Sequence, residues 1–182
     1  MSRTIIAVVF ALVTGCCPAF AGQVSFSIGP QVYHHKYTEP GLMENKGYFA
    51  GAAYDLTWED TFFISLNGGL FWGQADYTSV STGSLDGKKN LCADTRLLIG
   101  VPLFSGKRAT LKPFAGIAYR YLSDDGENQY TSTGNWSYLR QSNYIYSPLG
   151  LRAFVPLDNG WIFQPSAEYD FFWKGIQKSH LG

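Results

Sequence analysis

The chain is short of charge. Asp, Glu, Lys and Arg make up 15% of its 182 residues, against roughly 25% in an average soluble protein. What charge there is balances, with 14 basic and 14 acidic residues, so no basic surplus is present to hold a nucleic acid. Cysteine is scarce too. Cys16 and Cys17 lie in or at the edge of an amino-terminal leader, which leaves Cys92 as the one cysteine of the mature chain and excludes an internal disulfide. Beyond the leader no apolar run approaches the about 20 residues that a membrane helix needs, so any crossing of a bilayer falls to strands.

Aromatic residues, by contrast, reach 16%. The length fits one domain, and no break in composition divides it. Met1 to Ala21 has a basic start at Arg3, an apolar run from Ile5 to Val13 and the small-residue pattern Ala19-Phe20-Ala21 before Gly22. This predicts a secretory signal peptide over residues 1–21, with residues 22–182 as the mature domain. Removing Arg3 leaves 14 − 1 = 13 basic residues against 14 acidic. A second processing route stays open, because Val13-Thr14-Gly15-Cys16 resembles a lipoprotein signal in which Cys16 is lipidated.

The mature chain repeats one pattern. In Gly160 to Lys174 the odd positions are Trp161, Phe163, Pro165, Ala167, Tyr169, Phe171 and Trp173. The even ones include Gln164, Ser166, Glu168, Asp170 and Lys174. Period two is a strand with an apolar and a polar face. The same alternation predicts strands from Gly22, over Gly47 to Trp58, from Phe62, over Leu91 to Leu103, from Leu111, and from Asn143 to Val155. Between them the composition predicts long loops at Thr38 to Lys46, Thr78 to Asn90 and Ser123 to Gln141. Short turns are expected at Glu59-Asp60, Ser105 to Arg108 and Asp158-Asn159. Long and short connections alternating along the chain suit an up-and-down barrel with short periplasmic turns and longer outer loops. A soluble β-sandwich, the main rival, has no reason to sort loops by end.

With the leader, the sorted loops and repeats such as LCADTRLLIGVPLF and LKPFAGIAYRYL, the chain resembles the small outer-membrane β-barrels of Gram-negative bacteria, the OmpA-like and OmpX-like proteins. The resemblance is one of pattern over nearly the whole mature chain. It implies an all-β, antiparallel, up-and-down transmembrane barrel located in the outer membrane. The implied partners are outer-membrane lipid, lipopolysaccharide, the barrel assembly machinery and periplasmic chaperones. Family barrels have an even strand count and a terminal aromatic. Here about seven strands are legible and the chain ends Ser179-His180-Leu181-Gly182, so a parent of eight or ten strands is expected.

The inward set is then Asp55, Asp94, Arg96, Lys112, Arg120, Arg152, Glu168, Asp170 and Lys174, mixed in sign and expected to pair into a polar plug. Tyr37, Trp58, Trp72, Tyr119, Tyr121, Trp161 and Trp173 are expected to form aromatic girdles. Adjacent His34 and His35 point to opposite faces and do not suit one metal; His180 is the third histidine. A histidine with Ser147 would suggest lipid chemistry, but His34 and Ser147 lie on different strands. Asp124-Asp125-Gly126-Glu127 lacks the spacing of a calcium loop and reads as a solvated loop. The expected role is therefore non-enzymatic, structural or surface-interacting through the outer loops, without cofactor or metal. A lipid A or phospholipid-modifying enzyme and a narrow porin are the alternatives.

Overall fold

A computed structural model describes residues 6–9, 22–105, 109–158 and 160–180. The chain is all-β: β1 (Ile6–Val9), β2 (Gln23–Glu39), β3 (Met43–Glu59), β4 (Phe63–Ser79), β5 (Gly83–Gly100), β6 (Phe104–Ser105), β7 (Thr110–Asp125), β8 (Leu139–Pro156), β9 (Ile162–Phe163) and β10 (Ser166–His180). Eight of these form one antiparallel sheet in the order β1-β2-β3-β4-β5-β7-β8-β10, with β6 on β7 and β9 on β8. Neighbours in sequence are neighbours in the sheet, as an up-and-down meander requires. Cys16 and most of the expected leader lie outside the described residues, as do 106–108 and Asn159 in two expected turns. Residues 6–9 run antiparallel to Gln31–His34.

Period-two patterning appears directly as sidedness. Along β4, Phe63, Ser65, Asn67 and Phe71 are buried, while Ile64, Leu66, Leu70 and Trp72 between them are exposed. The sheet curls so that its buried faces meet. Arg152 on β8 lies 3.3 Å from Asp55 on β3, although three strands separate β8 from β3 along the sheet. Neighbouring strands are about 4.8 Å apart, so only strong curvature brings these two side chains together.

Two apolar layers occupy the concave side. Phe63, Leu98 and Phe114 pack near the 60–62 turn. Phe49, Phe71 and Cys92 pack further along, with Tyr33, Ala53 and Leu122 against them. Glycine makes room for the first layer, since a Cβ on Gly100 would stand 2.5 Å from the Phe63 ring. A ring lying over a strand glycine covers backbone that would otherwise be bare.

The loop expectation needs correction. β2 and β3 pair without a break from Gln23↔Glu59 to Glu39↔Met43, leaving a connection of 40–42. β4 and β5 also pair as far as Ser79↔Gly83, with one register shift between Ala75 and Tyr77. Residues 38–46 and 78–90 are thus mostly strand, and only 126–138 is a long connection. Polar composition there marks strand without an apolar face, because a hairpin needs only its ladder and a tight turn. Glu39-Pro40-Gly41-Leu42 supplies one: Gly41 has φ 74° and Leu42 N–H donates to Glu39 O at 3.0 Å. Pro at the second and Gly at the third position are what a type II turn demands.

Candidate functional site

Between the two apolar layers, and at the turn side of the first for Lys112, lies a band of charged side chains. Strand parity sets it, since Asp55, Asp94, Arg96, Lys112, Arg120, Arg152, Glu168 and Asp170 all fall on the concave face. Arg96 Nη1 donates to both Glu168 oxygens, at 3.0 and 3.2 Å. Arg120 Nη2 reaches Asp94 Oδ2 at 3.4 Å, the Tyr146 hydroxyl at 2.9 Å and Asp170 Oδ2 at 3.7 Å. Asp55 accepts from Arg152, from Thr57 Oγ1 at 2.5 Å, from Ser65 Oγ at 3.1 Å and from Asn67 Nδ2 at 3.4 Å. Lys112 pairs with Glu59.

Aromatic faces complete the environment. Arg120 lies 4.9 Å from the Tyr146 ring centre, Arg152 5.7 Å from Phe114, and Lys112 4.4 Å from Phe154, all within the reach of a cation–π contact. Removing one member of a buried pair strands the other charge, at a cost of roughly 3–5 kcal/mol. Pairing across the concavity therefore ties strands that share no ladder: β3 to β8, β3 to β7, and β5 to β10. Glu168 and Asp170, two residues apart on β10, each face an arginine.

Four placements differ from the sequence reading. Lys174 leaves the inner set, because the β8–β10 register shifts between Phe172 and Lys174. Trp173 is the extra residue, and Lys174 comes to stand opposite Ile145 on the convex face. Tyr37 leaves the girdle set: it stands opposite Asn45, which is buried, on the concave side. Asp124 is no solvated loop residue. It forms a buried ion pair with Lys88, Nζ to Oδ2 2.8 Å. Glu59, expected in a turn, joins the network through Lys112. Continuing the inward parity of β5 and β7 past Cys92 and Leu122 would have found Lys88 and Asp124.

The other aromatics fall on the convex face. Trp58 packs against Phe62, with ring centres 5.2 Å apart, and Trp161 is exposed; both lie toward the end that holds the 60–62 turn. Trp72, Tyr119 and Trp173 are exposed further along their strands, and Tyr121 pairs there with Ala93 and Asn143. His34 packs on Tyr48 and His35 on Phe49, on opposite faces. His180 Nε2 lies 3.2 Å from Gln141 Oε1. Ser147 stands opposite Phe171 on β8, and β8 is not a ladder neighbour of the His34 strand.

Fold and site together define an all-β meander whose concave face carries paired charge and whose convex face is apolar. Comparison with protein-family models, with curated proteins and with solved structures finds no match for the chain.

Proposed function

We propose that this chain forms the wall of a β-barrel spanning the outer membrane of a Gram-negative bacterium. Its lumen is filled by the paired charges, and its role is structural or surface-interacting. The observation that carries this reading is the inverted sidedness. Leu97, Ile117, Leu149, Tyr169, Phe171 and many more apolar side chains are exposed while Arg96, Arg120 and Asp94 are not. A continuous exposed apolar surface of this extent marks a lipid or partner surface rather than a watery one.

Strand length supports the same reading. The outward apolar stretch runs from Tyr48 to Trp58 on β3 and from Ile64 to Trp72 on β4, close to the about 9–11 residues of a tilted membrane strand. Each strand has 17 residues in all, so polar hairpin stretches project past the band at the end carrying 40–42, 80–82 and 126–138. That end meets the surroundings, and lipid and lipopolysaccharide meet the band. The resemblance adds the assembly machinery and periplasmic chaperones as partners in biogenesis.

The reading also requires closure. β10 has β8 as its one ladder neighbour among the described elements, and an unpaired backbone group in lipid costs several kcal/mol. Closure in the membrane therefore requires a partner for the β10 edge.

Expression in a Gram-negative host followed by urea washing of the outer membranes tests the reading. The protein is expected to stay with the membrane, and recovery in the aqueous fraction would overturn the proposal. Steady current across a planar bilayer would replace the filled lumen by a pore. A changed acyl composition of lipid A in expressing cells would replace the non-enzymatic role by lipid modification.

A further inference from the structure

The long connection 126–138 is ordered from within and anchored from outside. Tyr130 and Trp136 form an antiparallel bridge. Thr131 N–H donates to Asn135 O, Gly134 N–H to Thr131 O, and Ser137 N–H to Gln129 O, each at 2.9 Å. Three further bonds fasten the loop to the β4–β5 hairpin: Ser132 N–H to Ser84 O at 2.8 Å, Ser84 N–H to Ser132 Oγ at 2.9 Å and Thr133 Oγ1 to Thr82 O at 2.7 Å. Such a loop has already met most of the ordering cost that binding would otherwise impose.

What it presents is aromatic. The Tyr130 and Trp136 rings meet edge to face, centres 4.9 Å apart at 76°, and the residues remain 62% and 47% exposed. Around them stand Asn128, Gln129, Thr131, Ser132, Thr133, Asn135 and Ser137, whereas Glu127 is the one charged residue between 126 and 138. Of the cations beside the loop, Lys88 is buried against Asp124, Arg140 lies 5.7 Å from the Tyr138 ring centre and Lys89 stands opposite Asp125, so they do not line one positive groove.

Magnitude and charge narrow the ligand. A stable protein interface buries about 1,200–2,000 Å², and two rings bury roughly 150–250 Å² each, too little for an interface core. Single-stranded nucleic acid also stacks on aromatics but needs a positive groove, which the loop lacks. An uncharged sugar chain fits both limits: its C–H faces stack on rings and its hydroxyls bond amides and hydroxyls.

We propose that the 126–138 loop is a binding site for an uncharged oligosaccharide, stacked on Tyr130 and Trp136. This rests on the surface-interaction reading, for which it names the ligand class.

The test uses the full chain folded in detergent, titrated calorimetrically with neutral linear oligomers of glucose, galactose and N-acetylglucosamine, and with an acidic polyuronate oligomer. At least one neutral oligomer should bind with a Kd of about 1 mM or tighter, the acidic one at least about tenfold more weakly. Trp136→Ala and Tyr130→Ala should each lose about tenfold or more. Trp136→Phe should keep binding, and Trp173→Ala, on the far strand β10, should leave it unchanged. The site is overturned if no neutral oligomer binds at that level, if the acidic one binds equally well, or if Trp136→Ala binds like the parent. Protease treatment of intact cells separates the two readings. A loop cut from outside without sugar binding overturns the ligand class alone, while a protected loop on a sugar-binding protein supports the site and removes the surface reading.

Discussion

Arg152 on β8 reaches Asp55 on β3 across the concave face, Nη1 to Oδ2 3.3 Å, with β4, β5 and β7 between them along the sheet. Arg152→Met should strand the Asp55 carboxylate among Thr57, Ser65 and Asn67. Since the two side chains keep 15% and 27% exposure, the loss should fall at the low end of roughly 3–5 kcal/mol. Asp55→Leu combined with Arg152→Met should recover most of it. Urea unfolding in detergent measures the cycle, and simple additivity of the two single losses would show that no coupling exists.

Leu97, half exposed on β5, lies on the outward face between inward Arg96 and Leu98. In lipid vesicles Leu97→Arg should cost roughly 2–4 kcal/mol, as a cation does near the bilayer midplane. Gln74→Arg, beyond the apolar stretch of β4, should cost about 0–1 kcal/mol. Equal costs at the two sites would contradict a lipid-facing band.

Phe49 is 1% exposed and stacks on Tyr33 with ring centres 5.2 Å apart at 12°. Phe49→Ala should open a cavity worth about 3–5 kcal/mol, read as a lower urea midpoint at unchanged slope. Loss of under about 1 kcal/mol would mean that the aromatic layer collapses around the gap.

Glu44, near the 40–42 turn, accepts from Lys36 at 2.8 Å, with Lys46 at 3.8 Å. Its hydrogen bond to Lys36 holds the carboxyl below its ordinary value. A depressed carboxylate pKa contributes stability above the unfolded value, and the contribution is lost as pH falls through the folded one. NMR titration should therefore place Glu44 below an ordinary glutamate, and Lys36→Ala should raise it more than Lys46→Ala. An unchanged titration in Lys36→Ala would show that the pair does not persist in solution.

Much of the sheet was legible because alternation is a local signal. Each apolar stretch predicted from Phe26 to Phe171 became strand over most of its length, with 101–103 and 164–165 left outside, and Asp94, Arg96, Arg120 and Arg152 fell inward by parity alone. What was not legible depended on partners distant in sequence. Nothing in TEPGLMENK shows that Lys36 and Lys46 stand opposite each other in a ladder, so a strand without an apolar face read as a loop. Glu59 looked like a turn residue because its partner, Lys112, is supplied by β7. Curvature, which selects those partners, belongs to the sheet as a whole.

The extra residue at Trp173 governs the far half of β10. After it Gly175 stands opposite Tyr144 and Ile176 opposite Asn143, so odd positions take over the side that even ones held before. Deleting that tryptophan would join Phe172 to Lys174 and leave Lys174 opposite Ile145 and Gly175 opposite Tyr144, whereas deleting Gly175, with no bulge to absorb the loss, would swing Ile176 inward and Gln177 outward without altering either side chain. In this wall the count of residues is as consequential as their chemistry.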